Sequence, residues 1–468
     1  MKIAKKNFIF NIINLIFFYI LYALTYLDWW KNPQSNWQVT ISLLILLLIV
    51  YYLIVFKSLK AHITDFSVWF FLLHFLFMFG RIILAALNMD QTLYWNLSRY
   101  YDNNVQRKAA FYSLCCIQAI FTGYFLIHRT KEYTIIKKQN HLEDWRTFAT
   151  GIVLIIITFP LKIYVDYSIY LISKISGEYV INSSTNGVIK ALSLLSGAGI
   201  IFILSSGYFS KVKALFFFGA ISVYYIISMI VTGDRRYTVT ILICSALCYL
   251  KKYKIKLRKR TILTLIFLSY IGIGLLTTIK DIRKMENVEL SLIFSLFMKY
   301  LIEGKIFYEL LAEFGLSFFT VVNSINYSPI AIPFLNGKTL ITAFLSVIPG
   351  IGRILGDFID SASLSLVYCK LSTFPVGGSL LCDLYGNFGI LAPFFGIMVG
   401  LFLSKVFNEY KIEYSNYNMA RYYLLFYLLL NIIRCDFNEI LRVIIYGLIL
   451  SFTINYFFKI LIEKHYIR

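Results

Sequence analysis

The chain has 468 residues, of which 59% are hydrophobic and only 15% charged, and its mean hydropathy is +0.72. A soluble domain is nearer half apolar with about a quarter of its residues charged, so this composition excludes a soluble globular protein and describes an integral membrane protein. The formal net charge of +21 is no signature of nucleic acid, because the basic residues lie in short loops between apolar runs, where anionic lipid head groups attract them.

A bilayer core takes about 20 apolar residues per helix. In chain order the sequence predicts twelve such helices, at 8–27, 39–56, 68–87, 109–127, 147–172, 188–207, 213–232, 237–250, 261–279, 380–403, 419–434 and 440–462. The first follows Lys2, Lys5 and Lys6 and resembles a signal sequence. Its apolar run is too long for one and no small-x-small cleavage site follows, so it is expected to stay as a membrane helix with a cytoplasmic N-terminus. The even-numbered loops then face the cytoplasm and hold the lysines the positive-inside rule asks for. They carry Lys57 and Lys60; Arg129, Lys131, Lys137, Lys138 and Arg146; Lys211 and Lys213; the run KKYKIKLRKR at 251–260; Lys405 and Lys411; and finally Lys464 and Arg468. The eighth and eleventh helices are short, yet dropping either would put a basic cluster on the outer side. Tyr26, Trp29, Trp30 and Trp37 read as an interfacial belt, with stacking on sugar rings as the alternative.

The fold class expected is therefore all-α, a multi-pass membrane protein with both termini cytoplasmic. Residues 1–279 form the first membrane domain, 280–378 a large extracytoplasmic loop, and 379–468 the C-terminal helices. Loops of that length are usually functional. Within it, 288–302 and 306–322 read as helices too polar or too short to span, lying on the bilayer surface, and LITAFLSVIP at 340–349 reads as an interfacial or re-entrant piece, with one of these crossing as part of a paired re-entrant hairpin as the alternative. There is no internal repeat.

The seven cysteines give no framework. Cys115, Cys116, Cys244 and Cys248 sit in apolar runs as small hydrophobes, and Cys369 and Cys382 read as two free thiols or a disulfide of the outer loop. No Walker loop, HExxH or histidine cluster is present, so neither cofactor nor metal is expected.

Cations on the outer side run against the topological bias, and an anionic substrate would explain them. Arg235 and Arg236 follow the turn at Gly233–Asp234; a guanidinium offers phosphate a planar fork of donors, while snorkelling at the lipid interface is the plainer account. Lys280, Asp281, Arg283 and Lys284 stand at the mouth of the long loop. Gly377, Gly378 and Ser379 open the tenth helix, where free N–H groups and the dipole favour an anion. Asp383 and Asn387 follow on one face, Asp383 as a general base or as a dipole-compensating carboxylate. Arg434, Asp436, Glu439 and Arg442 put four charges into nine residues, as a substrate clamp or as local ion pairs. Inside the spans, Arg81 and the pair Lys162/Asp166 point to a polar cavity opening outward, or, for the pair, to a structural salt bridge.

With these residues in view, the whole chain resembles the Wzy-type O-antigen and capsule repeat-unit polymerases of bacteria. The resemblance rests on about twelve helices with one late outer loop, on Gly233-Asp234-Arg235, on EFGLSFFTVVNSINYSP running into a hydrophobic loop that ends at Pro349, on GGSLLCDLYGNFG, and on the Arg434-x-Asp436 run. The family often has Glu where this chain has Asp383. The resemblance implies transfer of an undecaprenyl-diphosphate-linked glycan onto a second lipid-linked repeat unit at the outer face of the cytoplasmic membrane. Arg235, Arg283 and Arg434 would meet the diphosphate and Asp383 would act as base. Arg236, Lys280, Gly377, Gly378, Ser379, Asn387, Asp436, Glu439, Arg442 and Arg81 would line the substrate site. The bilayer, a chain-length regulator and a flippase are the other expected partners, and nucleic acid is not. An O-antigen ligase and a lipid-linked oligosaccharide flippase are the alternative readings.

Overall fold

A computed structural model describes residues 2–27, 36–89, 97–127, 141–176, 187–232, 236–255, isolated positions from 258 to 278, 290–372, 377–412 and 415–466. Among these residues all regular structure is helical, as it must be where lipid offers the backbone no hydrogen-bond partner. The first apolar runs form α1 (Lys2–Tyr26), α2 (Trp37–Ser58), α3 (Phe66–Ala86), α4 (Asn103–Leu126), α5 (His141–Ser176), α6 (Gly187–Leu194) continued by α7 (Ser196–Ser206), α8 (Lys211–Thr232) and α9 (Arg236–Lys252). After them come α10 (Leu290–Ile302), α11 (Lys305–Phe314), α12 (Phe318–Tyr327), α13 (Lys338–Leu345), α14 (Ile351–Asp360) and α15 (Leu364–Leu371). The chain closes with α16 (Leu380–Phe388), α17 (Ala392–Ile412), α18 (Asn416–Leu430) and α19 (Phe437–Tyr466).

Among the described residues, ten helical runs are long and apolar enough to cross a membrane, and nine coincide with predicted spans. The predicted eighth and eleventh spans are helical but only 17 and 15 residues long. The predicted ninth, 261–279, lies for the most part outside the described residues. The tenth run, Ile306–Tyr327, corrects an expectation: by length and composition it qualifies as a span, with a hydropathy of 1.3 over its best window. Glu309 and Glu313 lie in its first turns. It is instead packed into the bundle, with Phe318, Val321 and Val322 fully or almost fully buried. Two glycines allow this. A Cβ on Gly80 of α3 would stand 2.4 Å from the Leu311 carbonyl oxygen, and one on Gly315 would stand 2.4 Å from the Arg81 nitrogen. Backbones approach this closely in membranes only where side chains are absent.

The core is centred on α4, which is buried along nearly its whole length. It meets α17 through the same device: a Cβ on Gly123 would lie 2.0 Å from the Ile397 oxygen, and one on Gly400 would lie 2.1 Å from the Ile120 oxygen. Tyr52 of α2 stacks on Phe121 with ring centroids 3.6 Å apart and donates its hydroxyl to Gln118 at 2.8 Å. Lys162 and Asp166 pair within α5, and the Asp166 carboxylate also accepts from Tyr224 at 3.0 Å and Ser228 at 2.7 Å. These partners on α8 make the pair a helix-to-helix tie. Cys369 is exposed, Cys382 is buried, and both are free thiols.

Candidate functional site

The start of α16 is built for rigidity. Ser379 caps it by accepting the Cys382 amide at 3.2 Å, and shares a 2.6 Å hydrogen bond with Thr320 of α12. One turn in, the buried Asp383 accepts the Phe437 amide at 2.9 Å. Phe437 opens α19, and a helix's first amides have no partner within their own helix, so one helix caps another. The two starts meet closely: a Cβ on Gly378 would stand 1.7 Å from Asp436 Oδ1. Asp436 Oδ2 accepts hydrogen bonds from Ser363 at 3.2 Å and from Ser365. Its Oδ1 is buried with no hydrogen-bond partner among the described residues. Burial pushes the Asp436 carboxyl above the usual carboxylate range; the Ser365 hydrogen bond opposes that most, the Glu439 charge adds to it, and Ser363 and Arg236 oppose it further. Asp383 and Asp436 are near enough to repel one another as charges.

Two further helix starts join them. Arg236, the first residue of α9, has Nη1 3.4 Å from Glu439 Oε2 and donates to Cys435 Sγ at 3.2 Å. Lys190 of α6 has its ammonium 3.7 Å from Glu439 Oε1. Arg442 donates from Nε to the Ser346 carbonyl at 2.6 Å, and its Nη1 lies 2.5 Å from where a Cβ on Gly187, the first residue of α6, would be. Burial pushes the Cys435 thiol up to about 12, which leaves it neutral and unreactive.

The predicted residues Gly378, Ser379, Asp383, Asp436, Glu439, Arg236 and Arg442 are thus brought together. Arg434 lies on the α3 side of the same turn, its guanidinium carbon 5.1 Å from the Phe77 ring centroid. Gly377 adjoins Gly378 but faces open space. Asn387 serves the preceding loop: its side chain accepts the Gly337 amide at 2.9 Å and donates to Thr339 at 2.7 Å. Arg81 is not in the cluster. It is almost fully buried and donates to the Ala312 carbonyl at 2.8 Å, so it belongs to the contact between α3 and the α11–α12 run. Arg235, Lys280 and Arg283 lie outside the described residues. Within 434–442, Glu439 reaches α6 and α9 while Asp436 reaches the α14–α15 turn. Sequence reasoning missed Lys190, Ser363 and Ser365. Lys190 follows the rule that singled out Arg236, a cation at the predicted outer end of a helix. The serines carry no signal of their own.

The geometry offers an anion the starts of four helices, α6, α9, α16 and α19, and the cations Lys190, Arg236 and Arg442. Helix starts carry positive partial charge, though the Cys382 and Phe437 amides at the starts of α16 and α19 are already taken by Ser379 and Asp383. Beside them, the Asp383–Asp436 pair can hold or take up a proton. Among the described residues no three His, Cys, Asp or Glu side chains are grouped to hold a metal ion. No curated protein and no solved structure matches this chain. The sequence profile of the family described as O-antigen polysaccharide polymerase Wzy matches residues 7–465. That is nearly the whole length of a multi-pass helical protein, and the chain belongs to this family of membrane glycosyltransferases, which polymerise lipid-linked repeat units.

Proposed function

We propose that the four-helix junction is where two lipid-linked repeat units react, and that it faces outward from a bacterial cytoplasmic membrane with both chain termini in the cytoplasm. The donor is a glycan on undecaprenyl diphosphate. Its diphosphate is held by Arg236, Lys190 and Arg442, with Arg235, Arg283 and Arg434 as further ligands. The acceptor hydroxyl of the second unit attacks the anomeric carbon of the donor. The bond from that carbon to the diphosphate oxygen breaks, undecaprenyl diphosphate leaves, and the hydroxyl proton passes to the Asp383–Asp436 pair. Stabilising the charge on the departing diphosphate is the largest service a site of this kind performs, and proton removal by a placed carboxylate adds to it. A flippase delivers the substrate, and a chain-length regulator governs how often the step repeats.

One observation carries this reading: Lys190 and Arg236, from two other helices, converge on Glu439 of α19, one turn from the Asp383–Asp436 contact where the starts of α16 and α19 meet. The test is complementation of a strain lacking the gene, with polysaccharide ladders read on gels and the protein quantified in membranes. Asp383→Asn keeps an oxygen to cap Phe437 but loses the base, so ladders should collapse toward single repeats at normal protein abundance, as they should for Arg236→Ala. Full ladders from both Asp383→Asn and Asp436→Asn would remove the carboxyl pair from the chemistry.

A further inference from the structure

The segment between the site and α15 is shaped like a hairpin, and both its ends are pinned at the site. At its start, Asn387 holds Gly337 and Thr339. At its end, Ser363 and Ser365 hold Asp436. The Lys338 ammonium closes the base: it donates to Ser361 at 2.8 Å and sits 4.4 Å from the centroid of the Phe358 ring. Between these points α13 and α14 are joined at Pro349–Gly350, where Gly350 takes a φ of +82°, a left-handed turn that suits glycine.

The first arm runs down the side of α19. Thr342 donates to Asn438 at 3.2 Å, Arg442 donates to the Ser346 carbonyl at 2.6 Å, and Tyr446 donates to the Val347 carbonyl at 2.7 Å. The partners advance along both segments in the same direction, away from the site. At 1.5 Å per residue, Arg442 and Tyr446 lie about 7.5 Å and about 13.5 Å along the axis from Phe437. The span Phe437–Glu463 is 27 residues, about 40 Å of helix, against a hydrocarbon core of about 30 Å. If the span is centred, about 5 Å projects at each end, so the level of Tyr446 is well inside the core.

The outer faces of both arms are apolar at helical spacing. Ile341, Phe344 and Ile348 are exposed on the first while Thr342, Ala343 and Ser346 turn toward α19. On the second, which kinks at Leu355, Ile351, Ile354, Leu355, Phe358 and Ile359 recur at helical spacing among Arg353, Asp357 and Asp360. α14 buries none of its residues against the protein, and Ile354 is 79% exposed. A stripe of this size in water would be an aggregation hazard. On α19, beyond Tyr446, Ile449, Phe452 and Phe457 are exposed as well, at levels only lipid can cover.

We propose that residues 338–361 form a re-entrant hairpin whose apolar stripe is seated in the acyl region of the leaflet at the site end of the bundle. The partner of this surface is lipid. A lipid-linked substrate in that leaflet then meets the hairpin before it meets Asp436, because the same short segment touches both.

The test uses the full chain in lipid vesicles with Cys369→Ser, which removes the one exposed thiol among the described residues; the other cysteines are buried. Single cysteines at Ile341, Phe344, Ile348, Ile354 and Phe358 are labelled with an environment-sensitive fluorophore and quenched from either phase. Ile341, Phe344, Ile348 and Ile354 face away from the protein, Phe358 meets the Lys338 ammonium, and any one of the five serves if another fails. Quenching by spin-labelled acyl chains should be strong and should deepen from Ile341 through Phe344 to Ile348, with iodide in water severalfold less effective at the tip than at the base. Iodide quenching equal at all five positions would overturn the proposal. So would shielding from both quenchers together with disulfide-linked dimers, which would put a second copy on this face. The readout is position, so an inactive protein with a lipid-seated hairpin upholds this inference while refuting the proposed chemistry, and the reverse result separates them equally well.

Discussion

Gly377 and Gly378 are neighbours, both at the entry to α16, yet they should respond oppositely to alanine. A Cβ on Gly378 would stand 1.7 Å from Asp436 Oδ1, 2.5 Å from its Cγ and 2.6 Å from its backbone nitrogen. Carbon and oxygen settle near 3.3 Å, so something must move by about 1.6 Å. The nitrogen is backbone at the head of α19, and the carboxylate is held by Ser363 and Ser365, so neither can swing aside freely. Overpacking of this kind costs about 1–3 kcal/mol, which a large bundle survives. A misplacement near 1 Å at reacting groups costs about 100-fold in rate, which polymerisation does not survive. Gly378→Ala should therefore reach the membrane in near-normal amounts and yield single repeats or very short chains. Gly377→Ala meets nothing within 4 Å and should give full ladders. The assay is gel analysis of polysaccharide from complemented cells, with membrane protein measured alongside. Equal ladders from the two variants, whether both full or both lost, would refute the placement of Asp436 against Gly378.

Three further outcomes follow from the same contacts. The Asp436 carboxyl is raised by burial, so between the ordinary carboxylate range and its raised native value the folded protein keeps a proton that the unfolded chain has released. Stability therefore falls as pH rises through that window, while base-dependent polymer synthesis rises through it; Ser365→Ala removes a hydrogen bond that favours the charged form and should move the rising limb of a ladder-versus-external-pH profile upward. Glu439→Gln removes a charge that raises Asp436 and frees Arg236 and Lys190, so the limb should move downward and substrate should saturate at lower concentration in a purified assay; an upward move would contradict the geometry. Gly400→Val places a branched side chain where even a Cβ would stand 2.1 Å from the Ile120 oxygen, so membrane abundance should drop sharply whatever the activity per molecule, and normal abundance would count against the α4–α17 contact.

Helices were legible wherever an apolar run approached the bilayer's length, because lipid permits little else. The Ile306–Tyr327 run escaped because Glu309 and Glu313 dilute its hydropathy, and because what draws it into the bundle is the pair Gly80 and Gly315, a tertiary fact. At the site, charge against topology drew attention to Arg236 and Arg442, and glycines before a helix with a carboxylate inside it to Gly378 and Asp383; the fold sets these residues near one another. Arg81 satisfied the same criterion for a different reason: a buried carbonyl, Ala312, needed a donor. Lys190 is separated from Glu439 by most of a domain's length of sequence, and Ser363 and Ser365 from Asp436 by some 70 residues. No local pattern records such partnerships, since hydroxyls and lone cations gain their roles only from what the fold sets opposite them.

Four helix starts do not share a location without help. Each carries about half a positive charge, and three cations add to the repulsion, so the junction needs anions in order to exist. Asp383 answers the start of α19, and Glu439 answers Arg236 and Lys190. The Arg236 and Lys190 contacts are long, at 3.4 and 3.7 Å, and Glu439 is partly exposed. A diphosphate carries more charge than one carboxylate and has more acceptor oxygens. It can take those cations without leaving the helix starts uncompensated, because the balance that Glu439 supplies in the empty site passes to the substrate. On the proposed mechanism the Asp383–Asp436 pair then sits beside a dense negative charge, which strengthens its uptake of the acceptor's proton as the leaving group departs. On that proposal, binding and proton transfer would be coupled through the same few residues that let the fold close.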